Sequence, residues 1–128
     1  MPRDVRLVCV RNVTRGTIVV PRAVVADTPL RRLLGLMGRR DWGEADGLLI
    51  RPCSAIHTFF MRMPIDVVFA TREGVVLDVA PARRPWRVGP IVRRAAWALE
   101  LPVGGIAASS TRLDDVLIAE ATGDRPAD

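Results

Sequence analysis

The sequence predicts a mainly β protein: a β-sandwich or jelly-roll-like barrel of seven or eight short strands, with one amphipathic helix packed across it. Three observations predict this fold. Short apolar segments recur along the chain between Gly, Pro, Arg and Asp, the punctuation of strands and tight turns. Only one segment carries helical spacing. The chain has 128 residues, 49% of them hydrophobic, which is enough for one core, since a domain of this size buries roughly two-thirds of its unfolded surface.

The elements follow in order. Val5 to Val13 alternates, with Leu7 and Cys9 on one side and Val8 and Val10 on the other, and reads as a strand in which Cys9 is a small buried hydrophobe. Arg15-Gly16 makes a turn. A second strand starts at Thr17, with Pro21 marking an edge or a bend before Ala23-Val24-Val25. The helix spans about 29–37. Thr28 is placed to cap it, Pro29 suits its first position, and Leu30, Leu33, Leu34 and Met37 fall at i, i+3, i+4 and i+7. Gly47 to Ile50 is a short buried strand, and Ile56 to Met61 is extended. Ile65 to Thr71 and Val75 to Ala80 flank Arg72-Glu73-Gly74 as a hairpin. Pro81 to Pro90 is a loop carrying Trp86. A strand from Ala95 to Leu101 follows, then the turn Pro102-Val103-Gly104-Gly105, a helical turn from Ile106 to Ser110 and a last strand from Asp115 to Glu120. The whole forms a single domain over 1–121, and 122–128 is a frayed tail.

Composition excludes several classes. The apolar runs are too short for a membrane-spanning helix, and the N-terminus lacks the apolar stretch of a secretory signal. The expected location is therefore cytoplasmic, with a removed export signal as the alternative. The net charge is +5, yet all 19 basic residues are Arg and none is Lys. That is the mark of a coding bias towards Arg. The arginines are also scattered as pairs along the chain, where a nucleic-acid stripe needs them gathered, so nucleic acid is set aside as a partner. Cys9 and Cys53 lack C-x-x-C spacing, and His57 is the single histidine. No metal site and no cofactor are expected.

Four polar residues sit close in sequence among apolar neighbours: Cys53, His57, Arg62 and Asp66. Cys53 and His57 are candidate catalytic residues, a thiolate with its base. On a helix they would lie about 6 Å apart. On a strand they would share a face about 13 Å apart, so a direct pair requires an irregular turn. In a straight strand His57, Phe59 and Met61 face one way while Thr58, Phe60 and Arg62 face the other. A bend at Met63-Pro64, with a cis bond as one option, would bring His57 and Arg62 together. Asp66 lies inside an apolar strand and needs a partner. Arg62 and Arg51 are the natural ones, as structural ion pairs or as a rim that grips a ligand. Trp86 covers the core or flanks a pocket. Glu100 alternates with Trp97, Leu99 and Leu101 and is expected to face solvent.

Leu34-Gly35-Leu36-Met37, Asp46 to Ile50, Phe59-Phe60-Met61-Arg62, Pro64 to Phe69, Gly74-Val75-Val76 and Leu99 to Gly104 occur in an order that resembles a bacterial and archaeal family, domain of unknown function 192. The similarity covers most of residues 23–120. It implies a compact, jelly-roll-like β-sandwich with a short helix and no established activity. This chain has Gly38 where the family typically has Phe. Phe60 and Arg62 replace Trp and Lys, and the family's Asn-Thr step before the Pro is missing. The His-Thr-Phe-Phe-Met-Arg version looks like a branch of that family.

Three functions compete. The first is a binding module for a small polar or anionic ligand or a short peptide, held at a rim of His57, Arg62 and Asp66 with Arg51 and Trp86. The second is a protein–protein interaction domain without a pocket. The third is a thiol-dependent enzyme using Cys53 and His57.

Overall fold

The computed structural model describes residues 6–28, 42, 45–58 and 61–122. The helix expected over 29–37, the Phe59-Phe60 pair and the tail beyond Thr122 lie outside the described residues. Nine strands are described: β1 (Leu7–Asn12), β2 (Thr17–Ala26), β3 (Gly47–Ile50), β4 (Ala55–His57), β5 (Ile65–Ala70), β6 (Val76–Arg83), β7 (Val88–Ile91), β8 (Trp97–Leu101) and β9 (Leu117–Ala121), with a single helical turn α1 (Gly105–Ala108). Seven strands form one sheet in the order β6-β5-β8-β3-β2-β1-β9, while β4 and β7 form a two-stranded ribbon. Among the described strands, only β2 and β3 pair in parallel.

The large sheet curls until its two ends meet. Val75 bridges Val116, the Val76 amide donates to the Asp115 carbonyl at 2.8 Å and the Leu117 amide donates to the Gly74 carbonyl at 2.8 Å. Gly74 is required at this seam. Its φ is +94°, and a Cβ there would lie 2.1 Å from the Leu117 carbonyl oxygen.

All seven strands send side chains into an inner core that includes Val10, Val20, Val25, Leu49, Val68, Leu99, Leu101 and Leu117, with Ile106 of α1 closing one end. The opposite face of β3, β5 and β8 packs an outer core with Ile56, Met61 and Met63. These three strands are buried along their whole length, so they read as continuous apolar runs rather than alternating ones. In β1, Val8 and Val10 are the core residues, while Cys9 is on the half-buried side, opposite to the sequence expectation. Pro21 sits where the β1–β2 register shifts between Val8 and Val10, the irregularity a proline within paired strands requires.

Two further expectations change. The segment expected as loop over 81–90 contributes the end of β6 and the start of β7. The segment expected to be extended over 56–61 is strand as far as His57; Thr58 lies outside the strand, and its carbonyl accepts from the Met61 amide at 3.2 Å. Among the described residues the cis peptide bonds are at Arg51–Pro52 and Gly89–Pro90; Met63–Pro64 is not one of them.

Candidate functional site

The expected rim does not form as a unit, because Asp66 points inward. It is 1% exposed. Its Oδ1 accepts from the Ala82 amide at 2.8 Å, and its Oδ2 accepts from the Gly104 and Ile106 amides at 3.1 and 3.0 Å. Ala82 has a φ of +51° and lies in a bulge, where β6 carries an extra residue between the pairs Ile65–Arg83 and Val67–Ala80. The carboxylate therefore fastens that bulge and the turn into α1. Arg51 is not its partner. Asp66 pairs with Leu101 at one end of β8, whereas Arg51 follows Ile50, which pairs with Ala98 towards the other end. Arg62 is exposed while Asp66 is buried, so the two do not converge on a common rim.

Thr58 ties the end of the His57 strand to the segment that carries Trp86. Thr58 is wholly buried. Its hydroxyl accepts from the Arg87 amide at 2.8 Å and donates to the Arg84 carbonyl at 2.6 Å. Its own amide donates to the Arg87 carbonyl, and its carbonyl accepts from the Trp86 amide, both at 2.8 Å. This clamp holds Trp86 at a φ of +64°, a conformation that costs an L-residue about 1–2 kcal/mol and that the surroundings must impose. Sequence reading missed Thr58. The available signal was a hydroxyl beside the only histidine within an apolar run.

The ribbon adds to this surface. His57 pairs with Val88 and Ala55 pairs with Ile91, and all four are exposed, while Ile56 packs in the outer core and Gly89 is buried. Trp86, Val88 and Ile91 are 56%, 66% and 68% exposed. The segments that build the ribbon and its supports, 47–65 and 79–99, contain seven arginines and no Asp or Glu. Arg84 and Arg87 precede β7, Arg93 and Arg94 follow it, and all four are exposed, as is Arg62. Four exposed arginines thus bracket β7 along the chain.

Cys53 is half-buried, and its thiol donates to the Ala55 carbonyl at 3.1 Å. The extended run from Ala55 to His57 carries the imidazole away from that sulfur by about 3.3 Å per residue. Arg51 belongs elsewhere, in a cavity on the inner face with Arg72, Glu73 and Trp97.

Two buried acids complete the electrostatics. Glu100 is 2% exposed, between Leu48 and Val67 on the neighbouring strands. Its Oε1 has no hydrogen-bond partner among the described residues, and burial pushes its carboxyl up to about 8. The expectation that it faces solvent fails because both faces of β8 are covered. Asp115, also missed, accepts from Arg15 Nε and Nη2 at 3.0 Å, from Asn12 Nδ2 at 2.9 Å and from the Arg112 amide at 2.9 Å. The Arg15 bonds lead in bringing its carboxyl down to about 2.

Comparison with known proteins agrees with this architecture. A crystal structure of a protein of unknown function from Novosphingobium aromaticivorans DSM 12444 superposes with a TM-score of 0.74 at 21% identity, over 89% of this chain and 84% of that one. A candidate transcription regulator from Sinorhizobium meliloti 1021 superposes with a TM-score of 0.75 at 21% identity, over 93% and 96%. At this identity the likeness establishes the fold alone. Sequence relatives carry more. A UPF0127 protein of Thermococcus sibiricus is 32% identical over 120 residues, 91% of this chain and 77% of its own length. Another, from Pyrococcus furiosus, is 34% identical over 109 residues, 83% and 93%. The family model DUF192, described as an uncharacterized ACR, matches residues 10–118. With the model spanning nearly the whole β-domain and archaeal relatives aligned along most of their own length, the chain belongs to the DUF192 family.

Proposed function

We propose that the protein is a binding module whose ribbon face receives an acidic segment of a partner protein, anchored by apolar side chains. One observation carries this reading: Trp86, Val88 and Ile91 stand exposed on a clamped ribbon, flanked by arginines, in segments without a single acidic residue. An apolar centre with Trp and a rim of Arg has the composition of an interface hot spot. Its charge selects a partner of opposite sign. His57 lies beside Val88 at the centre, and Arg62, Arg84 and Arg87 supply the rim. Asp66 has no part in it.

Fluorescence anisotropy with a labelled peptide of alternating Asp and Leu tests the proposal against the wild type, Trp86→Ala and the double variant Arg84→Glu with Arg87→Glu. Saturable binding that weakens at least tenfold in either variant is the expected result. Absence of binding, binding unchanged in both variants, or binding of a duplex DNA probe as tight as that of the peptide would overturn it, the last in favour of a polyanion surface. Circular dichroism confirms that each variant is folded.

A further inference from the structure

The curled sheet has two ends that differ. At one, Ile106 of α1 packs into the inner core, and Asp66 holds the turn that carries it. At the other, β3 and β5 finish and β8 and β9 begin. There the described residues leave a cavity of about 280 Å³ with a floor of Leu49, Trp97 and Leu117 and a mouth formed by Arg51, Arg72 and Glu73. The floor is buried and apolar. Arg51 is half-buried, and Arg72 and Glu73 are exposed on the β5–β6 turn.

The arginines here differ from those that serve the fold. The ion pairs among the described residues are Arg6–Asp27, Arg11–Glu120 and Arg15–Asp115, so Arg51 and Arg72 are not in one. A half-buried arginine beside an apolar floor, with no carboxylate paired to it among the described residues, favours an anionic group at the mouth. Guanidinium forks match the two oxygens of a carboxylate. The single Glu73 offsets part of the charge, which favours a monoanion over a phosphate or a dicarboxylate. The volume lies near the lower end for ligand sites, which are concave and mostly apolar with a few convergent polar groups.

We infer that this end of the sheet binds a small organic monocarboxylate, its carboxylate on Arg51 and Arg72 and its apolar body against Leu49, Trp97 and Leu117. The site lies on the inner face of the sheet and is independent of the ribbon, so either reading can fail alone.

Benzoate is the probe, with isothermal titration calorimetry for affinity and amide chemical shifts for location. Saturable binding is expected, with shifts concentrated at 49–51, 72–74, 97 and 117–119. Arg51→Gln combined with Arg72→Gln should weaken it at least tenfold, and Trp86→Ala should leave it within twofold. Arg72→Gln alone, on an exposed turn, keeps the test valid if the double variant does not fold, and should weaken binding at least threefold. Glu73→Gln should improve succinate binding relative to benzoate. Shifts centred elsewhere, affinity indifferent to both arginine variants, or inorganic phosphate binding tighter than benzoate would overturn the assignment.

Discussion

Replacing Glu100 with Gln should change how stability depends on pH more than it changes stability at any one acidic pH. The carboxyl titrates near 4.5 in the unfolded chain and at about 8 in the folded one, because burial disfavours its charged form. Between those values the folded state keeps a proton that the unfolded state has released. Stability therefore falls as pH rises, by about 1.4 kcal/mol per unit. The contribution is fully present below pH 4.5 and is lost by the time pH passes 8, a total on the order of 4–5 kcal/mol. The cross-strand neighbours Leu48 and Val67 offer the ionised form no compensation. Gln has nearly the same shape and does not titrate. Urea unfolding of both proteins at half-unit steps from pH 5 to 9 should give a wild-type stability that declines steeply and a Glu100→Gln curve that lacks that component, with the variant ahead at pH 8.5. Parallel curves would refute the reasoning and mean that Glu100 has found a partner or water in solution.

Other outcomes follow from the same geometry. Asp66→Asn replaces an acceptor of three amide bonds with a group that turns a donor towards one of them; a loss of about 3 kcal/mol is expected in denaturant titration, and an unchanged midpoint would contradict the role given to this carboxylate. Arg15→Met removes the leading cause of the depressed Asp115 carboxyl. A group held low stabilises above its unfolded value of 3.8 and loses that effect as pH falls towards 2, so the variant should unfold at higher pH during acid titration followed by circular dichroism. Gly74→Ala places a methyl against the Leu117 carbonyl and should prevent the seam from closing, whereas Gly16→Ala, also at positive φ but with nothing within 4 Å, should cost about 1 kcal/mol; equal thermal midpoints for the two would argue against the seam.

The strand pattern was legible because strands and turns leave local marks. Gly47–Ile50 and the Arg72-Glu73-Gly74 hairpin were located from short apolar runs and turn residues, and both stand. The ribbon was not legible. β7 contains Gly89 and Pro90, which read as loop, and it is a strand only because Ala55–His57 lies beside it. Glu100 was misread for a related reason, since alternation distinguishes inside from outside only when one face of a sheet meets water. Asp66 was correctly expected to need partners, but those partners are backbone amides at 82, 104 and 106, and residue types give no sign of an amide 16 to 40 positions away. Arg51, Arg62, His57 and Trp86 were all singled out, and chain direction alone could not divide them between the two faces of the sheet.

The place of β1 has a consequence for biosynthesis. Its flanks are β2, close in sequence, and β9, more than a hundred residues later, through the pairs Val8–Ala121 to Asn12–Leu117. A nascent chain emerging from the ribosome thus carries one unsatisfied backbone edge from its first strand until its last is released. Folding dominated by such distant pairings is slow, and the bare edge invites association with other chains meanwhile. Truncations that stop short of Leu117 should consequently aggregate during expression, although most of the sheet has already been translated.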